Sequence, residues 1–219
     1  MEFYHVLNRG VDKREVVSDD GDRMRFVRSL FIYNDFRPAP NFSSQSHHWN
    51  DWKRNRDTLV HVHAWCLMDN HYHMLLSPVN GDEAKLVKFM RKLNMGYAKF
   101  FNEKHNRSGY LWQGRYKKIL VERDNYFHYI PHYIHLNPLD LQYPMWREGG
   151  VVDCASALGF LDSYRWSSYQ DYLKKENFPS VIDTSVLASL LGTRNELESE
   201  VRNLITNPEL TSRYKNLET

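Results

Sequence analysis

The sequence predicts an α+β fold: an antiparallel sheet with helices on one face, followed by a further helix and a helical C-terminal extension. Three observations predict it. Short β-type runs recur near the N-terminus, twice within 59–77, and again at 111–121. The turn dipeptide Asp69-Asn70 splits 59–77 into two strands of a hairpin. Residues 83–105 repeat their apolar side chains with helical period.

Each element follows in order. Phe3 to Asn8 reads as the first strand. Asp19 or Asp20 is placed to cap a helix running to about Asp35, with Met24, Phe26, Val27, Leu30 and Phe31 as its apolar face. Pro38 and Pro40 end it, and residues 38–57 read as a polar insertion loop with the basic cluster Lys53, Arg54 and Arg56. Leu59–Met68 and His71–Ser77 are the hairpin strands. Glu83 to about His105 is the long helix, and Leu111–Val121 the fourth strand. Asp124 is placed to cap a helix reaching Asn137, where Pro138 stops it. The order β-α-β-β-α-β is that of the split βαβ, ferredoxin-like arrangement. Beyond Trp166 the chain reads as helical. Asp183–Leu191 closes on Gly192, and Thr193 with Glu196 forms a capping-box signature for a helix to about Thr206. Two units are expected: 1–174 as the main domain and 175–219 as the extension.

Bulk properties narrow the function less. Of 219 residues, 42% are hydrophobic and 26% charged, which are globular values. No apolar run reaches the length of a membrane helix, and the first residues lack a signal core, so a soluble cytoplasmic protein with no membrane partner is expected. Cys66 and Cys154 form neither a CxxC pattern nor a disulfide framework. The net charge of +2 does not by itself announce a nucleic-acid binder.

The chemistry-bearing residues are more specific. His71 and His73 lie two apart on a strand, so their imidazoles share a face and offer a platform for a divalent metal. His61 and His63 repeat that spacing on the neighbouring strand, and spacing alone does not choose between the pairs. Tyr133 and Asn137, four apart, share a helical face. A tyrosine is a weak nucleophile at neutral pH, because its pKa is about 10. A metal on a phosphate would reduce the charge it must approach, and an amide oxygen from Asn137 could join the metal's shell.

These residues fall in segments that together resemble a known family. YHVLNRG at the start, HAWCLMDNHYHMLLSP at 63–78, LWQGRYK at 111–117 and YIHLNP at 133–138 are similar to the IS200-like (Y1, HUH-type) transposases. Within that family, the segments are most similar to the transposases associated with repetitive extragenic palindromes. WSSYQDYL at 166–173 resembles the end of the family's domain. The resemblance implies that His71 and His73 hold a Mg²⁺ or Mn²⁺ ion, that Tyr133 is the nucleophile, and that Asn137 contributes to the metal site. It implies a structural or DNA-proximal role for His61 and His63. The sequence departs from the family at the long 38–57 loop and at Pro131, which falls inside the presumed catalytic helix and removes one backbone bond.

For DNA contact the sequence offers Lys85, Lys88, Lys92 and Lys99 as a stripe beside the apolar arc of the long helix, with Arg115, Lys117 and Lys118 on the next strand. Arg115 is the first choice for gripping a phosphate, since its planar fork matches one. The expectation is an enzyme that nicks and rejoins single-stranded or hairpin DNA through a 5′-phosphotyrosine, as a monomer or homodimer. Two other readings predict different outcomes. A domesticated DNA-hairpin-binding protein would do no chemistry. An unrelated HxH metallohydrolase would use water and not need Tyr133.

Overall fold

The computed structural model describes residues 1–38, 56–122 and 124–212. Most of the expected 38–57 loop, and the side chain of Asp124 with its expected capping role, lie outside the described residues.

Four strands form one sheet: β1 (Tyr4–Arg9), β2 (Val60–Leu67), β3 (His71–Pro78) and β4 (Lys117–Leu120), in the order β2-β3-β1-β4. Every neighbouring pair is antiparallel. This is the expected split βαβ order. The fourth strand is shorter than the expected 111–121. The chain bridges to the end of β1 at Trp112, where Val11 N donates to Leu111 O and Gln113 N to Arg9 O. It leaves the ladder near Gly114 and rejoins it at Lys117.

Helix α1 (Asp20–Ile32) begins where the Asp19 carboxylate accepts from Asp22 N, one of the donors a first turn leaves unpaired. It ends three residues before the expected Asp35. There the side chain of Asn34 turns away to bond the backbone of Leu59 and Val60, tying the helix end to the start of β2. Helix α2 (Glu83–Lys104) is capped by Asp82 and buries Leu86, Phe89, Met90, Leu93, Tyr97 and Phe101, the arc expected from its period. Each such side chain contributes roughly 1.5–3 kcal/mol on leaving water.

The pleat sorts the sheet into two faces. Tyr4, Val6, Trp65, Leu67, Tyr72, Met74 and Leu76 form one core with α1 and α2. The other face, with Ala64, Cys66 and Leu75, packs against α3 (Asp124–Leu136), which runs through Pro131. The helices between strands thus share one face, as expected, and the helices after β4 cover the opposite one. A helix at Cys154–Ser163, between the expected elements, joins this second core. The last long helix, Arg194–Thr206, starts in the expected Thr193–Glu196 capping box and buries Leu197, Val201, Leu204 and Ile205 there. Only Leu187–Leu191 of the expected 183–191 helix forms, closing on Gly192 at a φ of 68° that suits glycine. Among the described residues, no helix is long and apolar enough to cross a membrane. Cys66 and Cys154 are both free thiols.

Candidate active site

The second face of the sheet holds the candidate residues. On β3, His71 and His73 point to it, with ring centroids 5.0 Å apart and planes at 89°. Their neighbours on β1 are set by register: Arg9 lies opposite His71 and Leu7 opposite His73. His5, diagonal to His73, brings its Nε2 within 2.9 Å of His73 Nδ1. Its own Nδ1 lies 3.2 Å from the Tyr126 hydroxyl on α3. His71 Nδ1 is likewise engaged, at 2.6 Å from Asn70 Oδ1 in the hairpin turn. Each histidine of the pair is thus oriented through Nδ1, leaving Nε2 as the nitrogen it would present to a metal.

The tyrosine comes from above. One face of α3 lies on β2 and β3, and Tyr133 projects into the histidines. Its ring centroid is 5.4 Å from His73 at 90° and 5.8 Å from His5 at 76°. Tyr129, one turn earlier, packs against Tyr133 at 6.2 Å. Arg147 lies with its guanidinium carbon 5.1 Å from the Tyr133 ring centre. It donates to Asn137 Oδ1 at 3.3 Å and pairs with Asp140 at 3.1 Å. Asn137 in turn donates from Nδ2 to the Tyr133 carbonyl at 2.7 Å. Asn137 thus bonds the backbone of Tyr133 through its amide nitrogen, and its amide oxygen is turned to Arg147.

The donor set fits a divalent metal as part of a site. Among the described residues, no group of three or more His, Cys, Asp or Glu side chains is arranged to hold one. Two imidazoles are present, and both are nearly or fully buried. Burial, with the charges of His71, His5, Arg147 and Arg9 around it, holds His73 well below its ordinary pKa and hence in the neutral form that coordinates metals. The other positions of a six-coordinate shell would fall to oxygen, from a phosphate, water or Asn137.

The control pair is engaged differently. His61 Nδ1 meets Asp183 Oδ2 at 2.7 Å, and His63 Nε2 meets Ser77 Oγ at 2.7 Å. His63 sits at a β-bulge between Val62 and Ala64, which breaks the simple alternation its spacing suggested.

The expected DNA-contacting residues separate into two groups. Lys117 lies opposite Leu7, in the row of His73, and lines a cleft with Arg9 and Arg115. Lys85, Lys88 and Lys92 belong to α2, which packs on the far face of the sheet. Lys92 donates to the carbonyls of Asp35 and Arg37, and Lys88 stands over the Phe36 ring. Lys99 pairs with Glu103 along the helix, and Lys118 pairs with Glu83 on the far face. The structure does not bring the lysine stripe to the histidines.

Sequence reasoning missed His5, Arg9 and Arg147. The first two carried a signal. In the split βαβ order β1 pairs with β3, so polar residues alternating along β1 must flank the HxH pair. Arg147 carried none, since it arrives from a short helix (Trp146–Gly149) placed only by tertiary packing.

Residues 52–137 match the family model described as transposase IS200 like. Over these residues the chain is similar to that family. That segment runs from just before β2 to the residue after α3, so it holds His71, His73, Tyr133 and Asn137, while β1 lies outside it. A solved structure described as a REP-associated tyrosine transposase bound to a REP hairpin is similar at 11% identity, covering 84% of this chain and 88% of that one. Its TM-score of 0.44 is too low for the likeness to speak for function. No curated protein matches the chain.

Proposed function

We propose that the chain is a metal-dependent single-strand DNA transesterase of the transposase type, with residues 1–174 as its catalytic domain and 175–219 as a helical extension. The observation that carries this reading is the packing of Tyr133 on His73, within the segment that matches the IS200-like model. A nucleophile and a metal platform from separate elements meet at one place.

In this reading His71 and His73 would hold the ion, and Asn137, now bonded to Arg147, could join them. A bound Mg²⁺ or Mn²⁺ would neutralise charge on the scissile phosphate. Arg9 and Arg147 add fixed positive charge beside the same site. The Tyr133 oxygen attacks phosphorus, the bond from phosphorus to the 3′ oxygen breaks, and the phenolic proton is balanced by the new 3′-hydroxyl. The 5′ end remains on Tyr133 as a phosphodiester. One phosphodiester replaces another, so a 3′-hydroxyl can reverse the step without an energy source. Single-stranded or hairpin DNA is the substrate, and Lys117 and Arg115 would hold its backbone.

The test uses an oligonucleotide labelled on the 3′ side of the cut, with Mn²⁺. Wild-type protein should retain label through denaturing electrophoresis. Cleavage without retained label would mean that water is the nucleophile and would refute the proposal.

A further inference from the structure

A cleft of about 530 Å³ opens between α2 and the segment 109–115. Met95, Leu111 and Trp112 line it, with Tyr110 at its mouth and Arg115 at one end. Tyr110 is 87% exposed and Met95 67% exposed, so both are open to a ligand. The cleft shares Gln113, Gly114 and Arg115 with a second one of about 280 Å³, lined by Leu7, Arg9 and Lys117. Leu7 and Arg9 stand opposite His73 and His71. The two clefts thus meet along 113–115, and the second borders the β1 residues that pair with His71 and His73.

The floor of the cleft is rigid and tied to the same strand. Trp112 Nε1 donates to Asn94 O at 3.0 Å, and the Trp112 ring meets Tyr72 edge-on at 5.4 Å. The Tyr72 hydroxyl donates to Asn94 Oδ1 at 2.8 Å. Tyr72 lies between His71 and His73 in sequence, so this wall is bonded to the strand that carries them.

We infer that this cleft is a subsite for one unpaired nucleobase of the DNA strand, stacked on Tyr110, with its flanking phosphates held by Arg115, Arg9 and Lys117. The inference rests on the reading that DNA is the substrate. The charge order supports it: an apolar aromatic cavity suits a base, and Arg115, Arg9 and Lys117 line the adjoining cleft, where phosphates would run. An unpaired base can enter, whereas a base inside a duplex cannot, so the cleft would select for single-stranded DNA next to the cut.

The experiment compares oligodeoxythymidylate with an abasic deoxyribose-phosphate oligomer of equal length, by fluorescence anisotropy. Wild-type protein should bind the thymidylate polymer tighter by about tenfold, the scale of one stacked base. Tyr110→Ala, at an exposed position that does not endanger folding, should lose most of that preference and keep its affinity for the abasic polymer. Arg115→Ala should weaken both polymers to the same extent. If Tyr110→Ala weakened both equally, or neither, the subsite would be refuted. Failure of the wild type to bind either polymer would instead overturn the DNA reading together with the subsite. Base-selective binding without covalent adduct would leave the subsite standing and remove only the chemistry.

Discussion

His5 Nε2 lies 2.9 Å from His73 Nδ1, and the two rings stack with centroids 5.2 Å apart. A residue of the first strand thus fixes the ring orientation of a proposed metal ligand on the third. Partners of this kind typically change metal affinity by about 10–100-fold when removed. His5→Phe, which keeps the ring packing but no nitrogen, should weaken Mn²⁺ binding within that range in calorimetry. Excess Mn²⁺ should restore much of the nicking. Loss of nicking with unchanged Mn²⁺ affinity would show that His5 does not act through His73.

The two HxH pairs should behave differently. His71→Ala and His73→Ala should abolish Mg²⁺- or Mn²⁺-dependent nicking. His61→Ala, which removes a partly exposed contact to Asp183 and a stack on His63, should largely spare it. Equal damage from His61→Ala and His71→Ala in a nicking assay would move the metal to the wrong end of the hairpin for this account.

Arg147 holds both Asn137 and the Tyr133 ring. Arg147→Met retains much of the side chain's bulk and loses the orienting bonds. A displacement of about 1 Å at a reacting group can cost about 100-fold in rate. Single-turnover adduct formation should slow by tenfold or more, on the order of that limit, with DNA affinity much less affected. A rate within twofold of wild type would remove Arg147 from the account.

Binding should favour single-stranded or hairpin DNA over a blunt duplex and weaken with salt. Lys117→Ala should lower the slope of log affinity against log salt by about one, as for the loss of a single phosphate contact. Lys92→Ala should leave that slope unchanged, since Lys92 is committed to the Asp35 and Arg37 carbonyls on the far face.

Burial pushes the His63 pKa down to about 4, from an ordinary value of 6.5. The unfolded chain therefore takes up a proton at this position below pH 6.5, and the folded chain only near pH 4. Stability from this group is complete above pH 6.5 and is lost as pH falls toward 4, by roughly 3 kcal/mol at about 1.4 kcal/mol per unit. His63→Gln, which can still bond Ser77, should flatten the pH dependence of urea unfolding over that interval. An unchanged slope would contradict the assignment.

Much of the fold was legible because local signals agreed with one another. The Asp69-Asn70 turn, the apolar arc of 83–105 and the Thr193–Glu196 box each specify an element through neighbours in sequence, and each appears as expected. The fourth strand was read too long because its β-type residues continue through Gly114, where the backbone leaves the ladder. The lysine stripe was grouped with Lys117 because sequence does not say which face of a sheet a helix covers. Arg147 was invisible for a similar reason, as its place depends on how the chain packs back after α3.

The central claim is that Tyr133 becomes covalently joined to DNA, and mass spectrometry tests it most directly. After incubation with single-stranded DNA and Mn²⁺, the protein is digested with nuclease and protease. The account predicts one peptide carrying a nucleotide phosphate on Tyr133 and no such peptide from Tyr133→Phe, whose ring packing is retained. A nucleotide on Tyr129, the neighbour 6.2 Å away, would keep the reaction and refute the assigned nucleophile. Cleavage that persists in Tyr133→Phe with no modified tyrosine anywhere would contradict the account as a whole.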